Sequence, residues 1–189
     1  MATTSDFKNG FCIKHNNDIF QILEFQHVKP GKGGAFVRTK LKNISNNKII
    51  NFTFNAGSKI KPIRIENRKY QFLYKENEKY HFMNTINYEQ LYISQNMIAG
   101  YIFLKEGEAV ELLFNTENEQ VISCQLPKYV ILKVKYTEPG IKGDTATNTL
   151  KDCVLETNAK TKVPLFIKIG DTIKINTKDG SYSERIKNC

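Results

Sequence analysis

Short blocks of β-branched and aromatic residues, several alternating with polar ones, recur along almost the whole chain, the pattern of strands half-buried in small sheets. In the first third, GFCIK, DIFQILEF, AFVRTKLK and IINFTF read this way and predict a small antiparallel barrel. KYQFLYK, YHFMN, YIFLK and AVELLFN repeat the pattern in the middle, and NYEQLYISQNMIAG between them has room for only a turn or two of helix. YVILKVKY, DTIKINT and SYSERIK are the strands expected in the last third, where TKDG before SY signals a tight turn. Short strands at this density favour small closed barrels over a single sandwich, so the expected fold class is all-β.

Pro62 interrupts the basic stretch KIKPIRIENRKY, and Pro127 precedes a new strand in CQLPKYVIL. These breaks divide the 189 residues into 1–64, 65–128 and 129–189. Each part has a modest core and no Gly/Ser-rich linker joins them, so packed or semi-rigid joints are expected.

Charge is spread unevenly over the three parts. Residues 1–64 hold 11 Lys/Arg against 3 Asp/Glu, residues 65–128 hold 6 against 9, and residues 129–189 hold 11 against 7. Basic ends around an acidic middle point to a polyanionic partner, because clustered Lys/Arg neutralise phosphates and release counterions. Of the 28 basic residues 24 are Lys, and Asn and Ile are abundant, the composition of an AT-rich genome. A genome-wide bias acts on all three parts alike, so the asymmetry carries more weight than the total of +9.

Several kinds of chemistry are excluded. Cys12, Cys124, Cys153 and Cys189 are too far apart for a zinc or redox motif and read as free thiols. His15, His27 and His81 are equally scattered, so neither a metal nor a cofactor is expected. No paired carboxylates, Cys/His arrangement or nucleophile elbow occurs at usable spacing, which argues against an enzyme. No apolar run approaches the ~20 residues that cross a bilayer, and MATTSDFKNG lacks the pattern of a signal peptide. The expectation is a cytoplasmic protein without a membrane partner.

The most informative stretch is Pro30-Gly31-Lys32-Gly33-Gly34, between the strand ending near Val28 and the one starting at Ala35. Pro30 fixes its own φ, and Gly31, Gly33 and Gly34 permit positive φ, so the chain can reverse tightly and hold Lys32 in solvent at a hairpin tip. A phosphate-binding P-loop is ruled out, since no Ser or Thr follows the lysine and no helix lies beyond. Taken alone, the string is an ordinary Gly-rich turn bearing a solubilising lysine. Lys29, Arg38, Lys40 and Lys42 flank it, the last three at period two on one strand face, which suits a row of phosphate contacts.

The surroundings of this loop resemble the bacterial elongation factor P family along the whole chain. KPGKGGAFVRTKLKN surrounds the lysine, KYHFMNTINYEQ lies in the middle third, and PGIKGDTATNT and VPLFIKIGDTIKINTKDGSYSER lie in the last. The blocks stand in the family's order and spacing. Two-domain homologues of eukaryotes and archaea share the lysine-tipped hairpin but lack the third barrel, for which this chain is long enough. Two departures fall in KDCVLETNAKTKVP, where the family usually has alanine at Cys153 and glycine at Asn158. Asn is the non-glycine residue best able to adopt the left-handed conformation, so that turn can survive.

The resemblance implies an SH3-like (KOW-like) N-terminal barrel followed by two OB-fold barrels, arranged in a tRNA-like L shape. It implies a monomeric translation elongation factor that binds both ribosomal subunits beside the P-site peptidyl-tRNA and relieves stalling at consecutive prolines. Lys32 would reach the CCA end of that tRNA, and Lys29, Arg38, Lys40 and Lys42 its acceptor-stem phosphates. Gly143, Asp144, Thr145 and Thr147 would contact the small subunit and the anticodon side. A lysine at the tip, where other members carry arginine, implies a ligase that lengthens the ε-amine by an aminoacyl unit, although unmodified tips also occur in the family. Tyr70, Phe72, Tyr74, Tyr80 and Phe82 sit where OB barrels stack bases, but filling the barrel interior is the expected role of most of them. The alternative is a general single-stranded RNA-binding OB-barrel protein, which would expose aromatic side chains in the middle and last thirds and bind free RNA.

Overall fold

A computed structural model describes residues 2–139 and 150–186. Three antiparallel sheets account for the fold. The first contains β1 (Ala2–Thr3), β2 (Cys12–His15), β3 (Asp18–Val28), β4 (Phe36–Asn43), β5 (Ile49–Asn55) and β6 (Lys59–Pro62), in the order β1-β6-β2-β3-β4-β5. The second contains β7 (Ile65–Glu76), β8 (Lys79–Asn84), β9 (Gln90–Ser94), β10 (Ala109–Asn115) and β11 (Gln120–Gln125), in the order β11-β10-β7-β8-β9. The third contains β12 (Tyr129–Thr137), β13 (Leu150–Leu155), β14 (Lys160–Pro164), β15 (Thr172–Asn176) and β16 (Tyr182–Ile186), in the order β14-β13-β12-β15-β16. The described residues form no α-helix, only 3₁₀ turns, and none is long and apolar enough to cross a membrane.

Each sheet has a register shift in its long strand: at Ile22/Glu24 in β3, Phe72/Tyr74 in β7 and Val134/Tyr136 in β12. Such bulges bend a strand and increase its twist, which lets so small a sheet curl around its own core. By packing the chain forms two compact units, Met1–Arg68 with Leu112–Ser123, and Lys69–Glu111 with Cys124–Cys189. In the first, Phe7, Ile13, Phe20, Ile22, Val37 and Leu41 lead one core, and Cys12, Ile44, Ile63 and Leu113 form a second.

Two expected elements differ. YIFLK is not a strand: Tyr101–Phe103 is a 3₁₀ turn that starts after Gly100 in the left-handed region. Its Phe103 is buried in the core of the third sheet, among Val130, Leu132, Ile173 and Ile175. NYEQLYISQNMIAG holds the edge strand β9 as well as one 3₁₀ turn at Gln95–Met97. The turn expected at TKDG-SY is present, with Asn176 N donating to Ser181 O at 2.9 Å. The turn at Asn158 also survives the loss of glycine, with Asn158 at φ 63°.

Cys12, Cys124 and Cys153 are buried free thiols, and Cys189 lies outside the described residues. Burial pushes the Cys124 thiol up to about 12. At pH 8 such a thiol is ionised on the order of a few thousandfold less than an ordinary one of pKa ~8.5. Iodoacetamide is therefore expected to label Cys124 only as fast as the protein opens, as read by peptide mass spectrometry. Labelling in native buffer as fast as in urea would contradict this burial.

Candidate functional site

The longest hairpin of the first sheet joins β3 to β4, with Val28 opposite Phe36, Gln26 opposite Arg38 and Glu24 opposite Lys40. Along β4 burial alternates. Val37, Thr39, Leu41 and Asn43 are buried, whereas Phe36, Arg38, Lys40 and Lys42 lie on the other face, because strand side chains point to opposite sides with period two. Thr39 keeps its buried hydroxyl satisfied by donating to Phe52 O at 2.8 Å. The inward side is thus fixed by the core, and the basic residues have no choice but to line the outside.

The loop between the strands holds Lys29, Pro30, Gly31, Lys32, Gly33 and Gly34, all exposed. Of its glycines only Gly33 takes positive φ, at 106°, a conformation that side chains other than Asn rarely adopt. Gly31 and Gly34 do not need their freedom for this geometry, and a Cβ on either would meet nothing within 4 Å. Lys32 therefore projects from a tip with open space around it.

The flanking cations differ in how they are held. The Arg38 guanidinium carbon lies 5.5 Å from the Phe36 ring centroid, within cation–π range. Lys40 Nζ is 3.4 Å from Glu24 Oε1, an exposed pair of little net worth that a phosphate can replace. Among the described residues the side chains of Lys29, Lys32 and Lys42 have no ion-pair or hydrogen-bond partner. Beside them, Gln26, Asn51 and Thr53 line a shallow polar groove with Glu24, Arg38 and Lys40. The arrangement offers cations and neutral hydrogen-bonding groups along one strand pair, which suits contact with an anionic backbone.

The other expected positions fare unequally. Gly143, Asp144, Thr145 and Thr147 lie outside the described residues. Tyr70, Phe72, Tyr80 and Phe82 are buried, as the barrel interior requires. Tyr74 is not. The register passes from Phe72 opposite Phe82 to Tyr74 opposite His81, so Leu73 is an extra residue and Tyr74 is turned outward. There its ring stacks on His81 with centroids 4.5 Å apart, and Tyr92 on β9 follows at 5.9 Å from His81. Strict alternation could not reveal this row, in which Tyr74 and Tyr92 are exposed and His81 lies half-buried between them. Tyr129, Tyr136 and Phe166 are exposed in the last third as well. In the acidic middle, Arg68 is bound by Glu119 at 2.6 Å and Glu66 at 2.9 Å, which removes one of its few free cations.

Residues 3–60 match the family model of the elongation factor P KOW-like domain, residues 65–124 that of the elongation factor P OB domain, and residues 130–185 that of the elongation factor P C-terminal region. The elongation factor P of Amoebophilus asiaticus (strain 5a2) is 54% identical over 187 residues, 99% of this chain and 98% of its own. That of Christiangramia forsetii is 52% identical over 99% of this chain and all of its own, and that of Onion yellows phytoplasma 53% identical over the full length of both. With all three models matched in order and such identity from end to end, the chain belongs to the elongation factor P family of translation elongation factors.

Proposed function

We propose that this elongation factor binds the ribosome next to the peptidyl-tRNA and stimulates peptide-bond formation at consecutive prolines. The observation that carries the reading is Lys32, exposed at the tip of the β3–β4 hairpin and followed by the outward row Arg38, Lys40 and Lys42. In this reading Lys29 and the row hold acceptor-stem phosphates, and Lys32 touches the CCA end. Gly143, Asp144, Thr145 and Thr147 meet the small subunit and the anticodon side. The factor works as a cytoplasmic monomer in three domains, 1–64, 65–128 and 129–189, and a ligase lengthens Lys32.

The chemistry stays with the ribosome. Proline is a rigid, poor reactant, and ordering the tRNA end supplies an orientation that the reactants lack, an effect able to lower a barrier by several kcal/mol. Lys32 is a contact residue in this scheme, neither nucleophile nor base. The test is reconstituted translation of a message with a proline run, with and without the protein; equal yields of full-length product would reject the reading.

Electrostatics provide a further prediction. Reversing Arg38, Lys40 and Lys42 to Glu is expected to weaken ribosome binding strongly at low salt, with the deficit shrinking as salt screens it. Replacing the same three by Ala should flatten the slope of log K against log salt by up to about three, roughly one per lost phosphate contact. Equal sensitivity to reversal of Lys69, Lys75 and Lys79 would mean that the basic ends reflect composition alone.

One observation favours a second reading, general binding of single-stranded RNA. Tyr74, His81 and Tyr92 form an outward row on the strands where OB barrels stack bases. That reading requires affinity for free oligoribonucleotides, lost on truncating Tyr74 and Tyr92 and indifferent to Lys32.

A further inference from the structure

The loop between β8 and β9 is headed by Asn84. Its amide donates to Glu89 O at 2.8 Å, its carbonyl accepts from Tyr88 N at 3.1 Å, and its side-chain Oδ1 accepts from Ile86 N at 2.8 Å. The same turn recurs at Asn43, which is bonded in these three ways to Lys48, Asn47 and Ser45, and at Asn176, bonded to Ser181, Gly180 and Lys178. In each the fifth residue takes the left-handed conformation: Asn47 at φ 58°, Tyr88 at φ 61°, Gly180 at φ 72°.

Asn and Gly accept that conformation readily, and a bulky aromatic does not. Among the described residues seven non-glycine residues have positive φ; five are Asn, and Tyr88 is the aromatic one. The hydrogen bonds hold the backbone, but the side chains gain no packing in return, because Tyr88 is 70% exposed and its neighbour Ile86 is 82% exposed. A single exposed apolar residue is ordinary. A strained aromatic held beside an exposed isoleucine, on a loop tied at every turn by hydrogen bonds, is a preorganised pair of anchors, and backbone strain of this kind persists where it serves a site.

We propose that Ile86 and Tyr88 insert into an apolar pocket on a protein of the ribosome, one rimmed by Lys or Arg. The proposal rests on the ribosome-binding reading above. Protein rather than RNA is favoured by chemistry. An isoleucine has no π-face to stack on a base, and the loop belongs to the part of the chain with 9 acidic against 6 basic residues, which repels phosphate. Exposed Glu89 closes the loop, held by Asn87 Nδ2 at 2.7 Å, and fits a cationic rim. Tyrosine is the usual residue of such anchors, bringing a large apolar ring and one hydroxyl at small entropic cost.

The test uses the full chain with the photoreactive residue p-benzoylphenylalanine at position 86, irradiated on purified bacterial ribosomes, together with the variants Tyr88→Gly and Tyr88→Phe. The expected adduct is destroyed by protease and resists ribonuclease. Tyr88→Gly is expected to keep or raise the denaturation midpoint, since glycine relieves the left-handed strain, while lowering ribosome affinity roughly tenfold or more. Tyr88→Phe should retain both properties. A merely structural role predicts the opposite, loss of stability with affinity unchanged, and that result would overturn the proposal. So would a ribonuclease-sensitive adduct, or no adduct from protein that co-sediments with ribosomes. Protein that does not co-sediment at all defeats the ribosomal reading itself, and this proposal with it.

Discussion

Lys32→Ala is expected to leave the denaturation midpoint where it was and to return synthesis across a proline run to the level seen without the factor. Lys32 is exposed, makes no hydrogen bond or ion pair among the described residues, and stands between glycines whose surroundings are open. Truncating it creates no cavity and strands no buried group, so the stability change should stay within about 0.5 kcal/mol. The functional loss should nevertheless be complete, because every other residue of the loop is Pro, Gly or Ala apart from Lys29 at its base. Nothing else at the tip can reach forward. Arginine at the same position would keep the charge but present a planar fork in place of a compact ammonium, and it would not accept an aminoacyl group. Mass spectrometry of the loop peptide from the native host and from cells lacking a ligase distinguishes extended from bare lysine. Full activity of the bare form would show that extension is dispensable, and full activity of Lys32→Ala would remove the lysine from the mechanism.

Phe103→Ala is expected to destabilise the protein by about 3–5 kcal/mol, the range for emptying a buried aromatic site. Phe103 is 5% exposed and belongs to the core of the third sheet, although it comes from the 3₁₀ turn that follows β9. Gly180 shares that site: a Cβ built on it would meet Phe103 Cζ at 2.9 Å, and its φ of 72° already disfavours a side chain. Gly180→Ala should therefore cost about 1–2 kcal/mol for the left-handed conformation and about 1–3 kcal/mol for overpacking. In a Phe103→Leu background the overpacking part should vanish and the conformational part remain. Urea denaturation of the four proteins measures this coupling directly. Additive effects would mean that the ring does not lie over Gly180 in solution.

Most of the strands, the Lys32 tip and the alternation of β4 were legible in the sequence because each is local, whereas β1, β6, β9, β11, β13 and β14 were not read from it. Period-two burial needs only the chain's own polarity, and a turn needs only Pro, Gly or Asn at the right place. Asn158 is the plainest case, since the preference of one residue type for the left-handed region sufficed to keep a turn that glycine usually makes. The burial of Tyr70, Phe72, Tyr80 and Phe82 followed from the same alternation.

What the tertiary structure alone decided depends on partners remote in sequence. A bulge at Leu73 reverses the face of every later residue on β7, so Tyr74 joined His81 and Tyr92 outside although simple alternation put it with Phe72. YIFLK had the composition of a strand but became a 3₁₀ turn, because the core of the third sheet, built from Val130 to Ile175, had a place for Phe103. Glu24 and Lys40 are 16 positions apart and meet only through the hairpin register, which no count of charges contains. Ile86 and Tyr88 are apolar and aromatic, yet the structure leaves them in solvent. They sit in the turn headed by Asn84, whose hydrogen bonds to Ile86, Tyr88 and Glu89 hold that backbone, and no core residue covers them.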